Sequence, residues 1–380
     1  MDLAQLDELC SLIDEHREEA EDLAHLAPSV VEAAGSAGLW VAAAPREVGG
    51  LELGLVEFLG LCERVAEADP SVGWHIVNSG GAGHAAAFVP ESVRNEVFSS
   101  TLRPFGFSGA VAAGIEVSCL NGGFRLDGTW PFMTGVLDAE WACVTVVMPP
   151  EEGANGQPPD VRRVLMPLEA CEVHRSWDNA TSLRGTGSHA VTANGVLVPN
   201  EATITHRAEP LVDRTAYRIP SHLPFVGGAA AVSIGILRST ITGAVEFCAN
   251  KVSRLDGRKH SDDQRVRQTI ADATAVADSL SANLQAQANM IQASFASGER
   301  PGRVERAHWW SAVFYSADAV ANEVSKLYRV ATSASYGTRN PVERGLRDSH
   351  AIPAAFESFQ TLRRAAGAAL LGQDVGHPLL

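Results

Sequence analysis

Leu3, Leu6, Leu9 and Ile13 recur every three to four positions, and Val56, Leu59 and Val65 continue the rhythm further along. A period near 3.6 puts such residues on one face of a helix, so the chain is expected to open with helices. The string APREVGGLELG (Ala44 to Gly54) interrupts them with Pro45 and the pair Gly49 and Gly50, and reads as a loop. From about Gly106 the period falls to two. Ile115, Val117 and Cys119 alternate up to Asn121, Gly122 and Gly123, and Phe124 and Leu126 alternate after them. Asn194 and Gly195, between HAVTA and VLVP, carry the signature of a two-residue hairpin turn, because both central positions must accept positive φ. With Trp141 to Met148 and Arg162 to Leu168 added, the middle of the chain is expected to form an antiparallel β domain, a sandwich or small barrel. After about Leu223 helices return. Leu280, Leu284, Ala288, Ile291 and Phe295 keep one face of a stretch, Asp262 to Ser297, that contains neither Pro nor Gly. Together with segments from about Gly227 to Val252, Val304 to Ser335 and Leu346 to Leu371, this predicts four helices, the count of an antiparallel bundle. The expected class is α+β multidomain: a helical domain over 1–105, a β domain over 106–215 and a helical bundle over 216–380.

Composition narrows the function classes. Of 380 residues, 46% are hydrophobic and 20% charged, which is ample for a large buried core and unlike a disordered chain. Thirty Lys and Arg against 45 Asp and Glu leave a net charge of −15, which repels a polyphosphate backbone, so nucleic acid is not an expected partner. The six cysteines are scattered without a CxxC pair or a short Cys/His cluster, as expected of free thiols in a cytoplasmic protein without a metal site. The first residues, MDLAQLDELCSLIDEHREEAE, are acidic where an export signal is basic. The longest uncharged stretch, Ile219 to Leu237, holds Pro220, His222, Pro224, Gly227 and Gly228. It is expected to be a loop feeding a buried helix, not a membrane span.

Several short strings, in the order helix, β, helix, resemble the acyl-CoA dehydrogenase superfamily of flavoproteins over nearly the whole chain. GLWVAAAPREVGGLELG (Gly38 to Gly54) and AEADPSVGW (Ala66 to Trp74) are similar to the segments that pack under the flavin, and the second is most like the branch of flavin-dependent monooxygenases that work with a separate flavin reductase. GTWPFMTG (Gly128 to Gly135) followed by DAEW (Asp138 to Trp141) resembles the family pattern of Trp, aromatic, any residue, Ser or Thr, Gly. The resemblance implies that Trp130, Phe132, Thr134 and Gly135 meet the flavin ring, with Thr134 donating near N5. A strand alternating sides would present Phe132 and Thr134 to the same face. SLRGTGSHAVTANGVLVP (Ser182 to Pro199) matches the family's Gly-rich approach to the last strands. Arg254 and Gln264, in KVSRLDGRKHSDDQRVRQTIAD, resemble residues that reach the flavin diphosphate of a neighbouring subunit, although Asp256 and Gly257 stand where the family has Phe-Gly. Trp74 and His75 are the candidates for the substrate pocket.

The last string, SYGTRNPVERGLRDSHAIPAAFE (Ser335 to Glu357), resembles the C-terminal active-site segment. A dehydrogenase of this family needs a carboxylate to take an α proton, usually nine residues after the Arg of an Arg-Asp pair. Phe356 stands there, and Glu357 follows it. The monooxygenase branch usually has His eight residues after that Arg, where this chain has Ala355; its nearest His is His350. With neither group in place, the expected activity is a monooxygenase using reduced flavin (FAD or FMN) and O₂ on a small organic, possibly aromatic, substrate. An acyl-CoA dehydrogenase with Glu357 as base is the alternative, and a flavin-free binding or scaffold protein the second. The expected assembly is a homo-oligomer, a tetramer in the first instance. No GxGxxG string is present, so the electrons are expected from a partner reductase and not from bound NAD(P)H.

Overall fold

The computed structural model describes residues 3–98, 102–150, 159–205, 208–253, 257–332, 337, 339–373 and 376–380. Contacts group the chain into two compact units: Met1–Gly54, His75–Ala180 and Arg184–Phe225 in the first, and Leu55–Trp74, Thr181–Leu183 and Val226–Leu380 in the second. The texture boundaries near 105 and 215 both fall inside the first unit. Six helices lead: α1 (Leu3–Glu15), α2 (Arg17–Leu23), α3 (Pro28–Ser36), α4 (Leu55–Ala68), α5 (Pro70–Ala85) and α6 (Glu91–Val97). Strands β1 (Gly106–Ser108), β2 (Glu116–Leu120), β3 (Gly123–Met133), β4 (Trp141–Val147), β5 (Val161–Pro167), β6 (Cys171–His174), β7 (His189–Pro199) and β8 (Thr203–Thr205) follow. The remaining helices are α7 (Thr215–Arg218), α8 (His222–Asn250), α9 (Gln264–Ala296), α10 (Arg303–Ala331), α11 (Pro341–Ser349), α12 (Ala351–Phe356) and α13 (Gln360–Leu370).

In the first unit the strands form two four-stranded sheets, β1-β4-β5-β8 and β2-β3-β7-β6. All pairings are antiparallel except β1 with β4, which is parallel and departs from the expected all-antiparallel arrangement. Val144, Val164 and Met166 of one sheet and Leu126, Trp130 and Val191 of the other share one buried apolar cluster. Burial of Cys143 and Val146 as well shows that β4 is covered on both faces. The β2–β3 hairpin turns where the Asn-Gly spacing puts it, with Leu120 opposite Gly123 and Gly122 at φ +85°.

The Asn194-Gly195 hairpin does not form. β7 runs straight through both residues, and Asp127 pairs with Asn194 while Leu126 pairs with Val196, so Gly195 is an extra residue bulged out of the ladder at φ +73°. A bulge of this kind needs a left-handed glycine just as a tight turn does, so the same dipeptide serves either.

In the second unit the face read from the sequence is the buried one: Leu280, Leu284, Ala288, Ile291 and Phe295 of α9 all lie inside. Helix α8 begins at His222, earlier than expected, and carries Pro224 in its first turn, where a missing N–H has no intrahelical partner to lose. It is long and apolar enough to cross a membrane, but 72% of its most apolar window is buried in the protein. Gly227 does not break it: a Cβ there would lie 2.7 Å from the Trp309 ring, so the glycine lets α10 approach closely. The fourth expected helix is three, α11 to α13. Pro353 cannot donate to the carbonyl of Ser349 and its ring crowds that carbonyl, so the chain breaks at His350.

A buried charge network fastens this unit. Asp69 caps the start of α5 by accepting from Ser71 N–H (2.7 Å), and both its oxygens accept from Arg344 Nη2 at 3.1 Å. Arg344 Nε lies 3.5 Å from Asp348 Oδ2, and Asp348 Oδ1 accepts from Leu183 N–H (2.6 Å). The Asp69 and Asp348 side chains are each 1% exposed and that of Arg344 9%. Removing one member strands an uncompensated charge, which costs about 3–5 kcal/mol. Arg344→Met is therefore expected to lower stability by that amount in urea unfolding, with Arg344→Lys recovering only part because an ammonium lacks the paired donors.

Candidate active site

The first unit holds Thr134, and its setting is set by a second bulge. Trp130 pairs with Val191 and Met133 with His189, so β3 carries one residue too many between them. Phe132 absorbs the excess in a left-handed conformation, φ +56°. The expected alternation fails as a result. The Phe132 ring is 68% exposed, with Trp177 edge-on to it at 6.1 Å between ring centres, whereas Thr134 is buried. Thr134 leaves β7 altogether and pairs with Phe107 of β1, exchanging two main-chain hydrogen bonds of 3.2 and 3.3 Å.

Three buried hydroxyls meet here. Thr134 Oγ1 lies 2.9 Å from Ser188 Oγ, which lies 2.8 Å from Thr186 Oγ1. Gly135 N–H donates to the Thr186 carbonyl at 3.2 Å, closing the 134–135 corner onto the 186–188 loop. Arg184 ties that loop down by donating to the carbonyls of Glu21, Asp178 and Ala180. His189 is fully buried, accepts from Trp177 N–H at 3.0 Å, and has its pKa lowered by burial and then by the nearby Arg175 charge. Asp138, next to the corner, has its carboxyl pKa raised by burial.

Of the residues singled out in the sequence, Thr134, Gly135 and His75 come together. His75 is buried against Trp40, with ring centres 5.8 Å apart, and a Cβ on Gly135 would stand 3.1 Å from His75 Nδ1. Trp130 is a core residue: it is fully buried and its indole N–H donates to the Thr145 carbonyl at 3.3 Å, so it supports the strand from behind and offers no open face. Trp74, the neighbour of His75 on α5, belongs to the second unit and is half-buried. Gln264, His350 and Glu357 also belong to the second unit and are exposed. Gln264 is the first residue of α9, His350 sits at the break between α11 and α12, and Glu357 Oε1 accepts from Gln360 Nε2 at 3.2 Å. Arg254 lies outside the described residues, as do Asp256, Ser335 and Tyr336. Phe356 is buried against Phe314 and Phe359 within the helices, so position 356 is a packing position.

The residues that reading the chain missed are Ser188 and Thr186, and Asp69 and Arg344 in the second unit. Ser188 and Thr186 lie in the Gly-rich string, where Gly185 and Gly187 are the conspicuous residues. The Arg-Asp pair of the C-terminal string, Arg347 and Asp348, holds the 181–183 segment: Arg347 Nη1 donates to the Thr181 carbonyl (2.5 Å) and Asp348 accepts from Leu183 N–H. Leu183 is thereby held at φ +47°, an uncommon conformation for leucine.

An exposed aromatic step beside a buried, oriented hydroxyl fits a flat conjugated ring that needs an apolar wall and one hydrogen-bond donor. The family model described as acyl-CoA dehydrogenase, N-terminal domain, matches residues 7–101, and that described as acyl-CoA dehydrogenase, C-terminal domain, matches residues 227–360, together more than half of the chain. The chain belongs to the acyl-CoA dehydrogenase superfamily. Within it, the chain is similar to a pigment production hydroxylase of Rhodococcus sp., 27% identical over 90% of this chain and 89% of that one. It is 25% identical to the flavin-dependent monooxygenase oxygenase subunit HsaA of Mycobacterium tuberculosis, over 92% of this chain and 89% of that one. The fold matches the crystal structure of the M. tuberculosis HsaA monooxygenase with a TM-score of 0.88 (22% identity, 100% of this chain, 98% of that one). It also matches XiaF from Streptomyces sp. in complex with FADH₂ and glycerol with a TM-score of 0.86 (19% identity, 99% and 96%).

Gly135 is a tight point of the superfamily motif in this chain. At φ +80° and 3.1 Å from the imidazole of His75, an alanine meets both backbone strain and a clash. Gly135→Ala is expected to lower the melting temperature, with a cost of at least about 1–2 kcal/mol from the backbone alone, and to weaken flavin binding measured by fluorescence quenching.

Proposed function

We propose that the chain is the oxygenase component of a two-component flavin-dependent monooxygenase acting on a small aromatic substrate. The observation that carries this reading is the Thr134 hydroxyl, buried and aimed by Ser188 at 2.9 Å, beside the open ring of Phe132. Likeness to chains named hydroxylase and oxygenase subunit over about nine-tenths of the sequence supports it. When bound, reduced flavin supplies the two electrons that activate O₂, one oxygen atom going to the substrate and the other to water. Phe132 and Trp177 would give the flavin its apolar wall, and Thr134 Oγ1 would supply a hydrogen-bond donor to it. For that proton to be available, Ser188 Oγ would donate to Thr134 Oγ1 and Thr186 Oγ1 to Ser188 Oγ, a chain of hydroxyls ending at the ring. His75, packed behind Gly135, keeps the corner rigid and dry. The electrons come from a separate reductase, and the flavin is FAD or FMN.

The alternative of an acyl-CoA dehydrogenase asks Glu357 to take a proton from carbon, yet Glu357 is exposed and bonded to Gln360. Such a base needs a raised pKa in a dry site, and the residue at the family position, Phe356, has no acid at all. The finer reading is a cytoplasmic homotetramer, with Tyr315, Leu370 and Leu371, all exposed on the second unit, at its subunit contacts.

The test supplies purified protein with flavin, a flavin reductase, NADH and a panel of phenols and indoles under O₂. Expected are flavin-dependent oxygen uptake and a product heavier by one oxygen atom; bleaching of bound flavin by acyl-CoA without O₂ would replace this function with dehydrogenation. Thr134→Val, which removes only the hydroxyl, is expected to weaken reduced-flavin binding or shorten the oxygenating phase in stopped flow by an amount equal to about 1–3 kcal/mol. Glu357→Gln is expected to leave turnover largely intact, whereas it abolishes a dehydrogenase. His350→Ala is expected to slow oxygenation by roughly 10² if that imidazole acts as acid or base.

A further inference from the structure

Trp177, one ring of the proposed flavin wall, lies on a loop that a buried histidine helps to hold. Strand β6 ends at His174 and β7 begins at His189, and the two pair antiparallel, so residues 175–180 lie beside the first residues of β7. Ala190 N–H donates to Ser176 Oγ at 2.9 Å, and Trp177 N–H donates to His189 Nδ1 at 3.0 Å. The first bond joins a main-chain donor to a hydroxyl, which keeps its proton at any ordinary pH. The second depends on the charge of a ring.

A ring nitrogen that accepts a hydrogen bond carries no proton, so the neutral imidazole of His189 has its proton on Nε2. That nitrogen is buried and has no hydrogen-bond partner among the described residues; Asp178 Oδ1 stands 3.9 Å away. Asp178 is itself engaged, since Arg175 Nε donates to its two oxygens at 3.0 and 3.2 Å. A second proton on the ring would go to Nδ1. Two N–H groups would then face each other across the 3.0 Å that now holds a hydrogen bond. The charged and titratable groups around the ring are Arg175 and Asp178 of its loop and His25 of the segment after α2. Burial, then Arg175, oppose the charged ring, Asp178 favours it, and His25 opposes it, so the pKa of His189 is held below the ordinary imidazole value of about 6.5.

We infer that His189 is a positioning residue for Trp177: its neutral ring pins the 175–180 loop to β7, and its protonation releases that loop. The Trp177 ring meets Phe132 edge-on at 6.1 Å, and the place of the indole is set in part by where its main chain is held. The inference rests on the reading of Phe132 and Trp177 as the wall of a flavin site, and it gives that wall a dependence on pH. At pH 7 the ring is neutral and the loop is pinned. As pH falls through the lowered pKa the ring charges, the loop is let go, and the stability contributed by the neutral ring is lost with it.

The experiment is fluorine NMR of the full-length protein labelled with 5-fluorotryptophan, from about pH 8 to about pH 4.5, with the Trp177 line identified by its loss in Trp177→Phe. In wild type that line is expected to move with a midpoint below about pH 6.5. His189→Asn keeps an acceptor oxygen near the place of Nδ1 and does not titrate in this range, so its line is expected to stay at the neutral wild-type position throughout. His189→Leu removes the acceptor, and its line is expected to be displaced from that position at every pH. A Trp177 line that stays still in wild type, or that moves alike in wild type and His189→Asn, overturns the proposal. Should His189→Leu fail to fold, the wild-type and His189→Asn series decide it alone. Affinity for FMN and FAD, read by flavin fluorescence over the same range, is expected to fall about two- to tenfold in wild type relative to His189→Asn. Because the NMR readout needs no flavin, a loop that is released while flavin affinity stays level would uphold the role of His189 and strike the reading of Trp177 as a flavin wall.

Discussion

Two main-chain hydrogen bonds between Phe107 and Thr134 decide where the chemistry of the first unit can lie. β3 belongs to one sheet and β1 to the other, and this bridge is where the end of the first is handed to the edge of the second. Without it Thr134 would continue along β7 and point wherever alternation sent it. With it, the threonine hydroxyl falls in line with Phe107 and Cys143, and the loop 186–188 closes over it through Gly135 N–H. The bridge demands an extra residue on β3, and Phe132 takes up the slack. Its left-handed backbone is the strain that this geometry carries, of order 1–3 kcal/mol. A ring turned outward and a hydroxyl turned inward are thus two results of one bulge.

The second unit solves a different problem with charge. Asp69 and Arg344 are separated by 275 positions, yet their contact joins the corner between α4 and α5 to α11, and Asp348 extends it to the backbone of Leu183. An apolar contact could match it in energy but not in direction. Asp69 also caps α5, and a misplaced Arg344 would leave two carboxylates buried without a cation. The same logic appears lower in the unit, where Arg238 bridges Glu63 and Asp278 at 2.9 Å each, and Ser281 donates to the remaining Glu63 oxygen. Helices α4, α8 and α9 are fixed by a cation between acids at a place where Gly235 lets the backbones come close.

What the chain discloses on reading depends on the range of the physics involved. The buried face of α9 is legible because a helix side chain's direction follows from counting, and no Pro or Gly interrupts the count. The end of β3 just before Thr134 is legible through its motif, since a short string carries the strand and its corner together. Asn194-Gly195 was misread because positive φ identifies the conformation and not the element; only pairing with β3 makes it a bulge. Phe132 failed for the same reason, as alternation is a property of an unbroken ladder. The break at His350 follows from Pro353, whose effect falls on the Ser349 carbonyl four residues upstream and so away from the proline itself. Ser188 and Arg344 were beyond reach, because a hydroxyl or a guanidinium is assigned by what it touches.

The departures at 355 to 357 gain meaning from the side chains that fill those places. A base that removes a proton from carbon must be desolvated enough to hold a pKa near neutrality, yet free to approach its target. Position 356 is desolvated but carries a phenyl ring, buried between Phe314 and Phe359, and Glu357 is exposed and accepts from Gln360. Putting an acid at 356 would set an unpaired carboxyl between two rings, a cost the packing there does not offset. The aromatic cluster has therefore made this segment structural. Oxygen transfer to an aromatic carbon asks less of the protein at that point: a dry wall, a directed hydroxyl and a grip on the substrate. On the function proposed, the wall falls to Phe132 and the hydroxyl to Thr134, and no base is asked of residues 355–357.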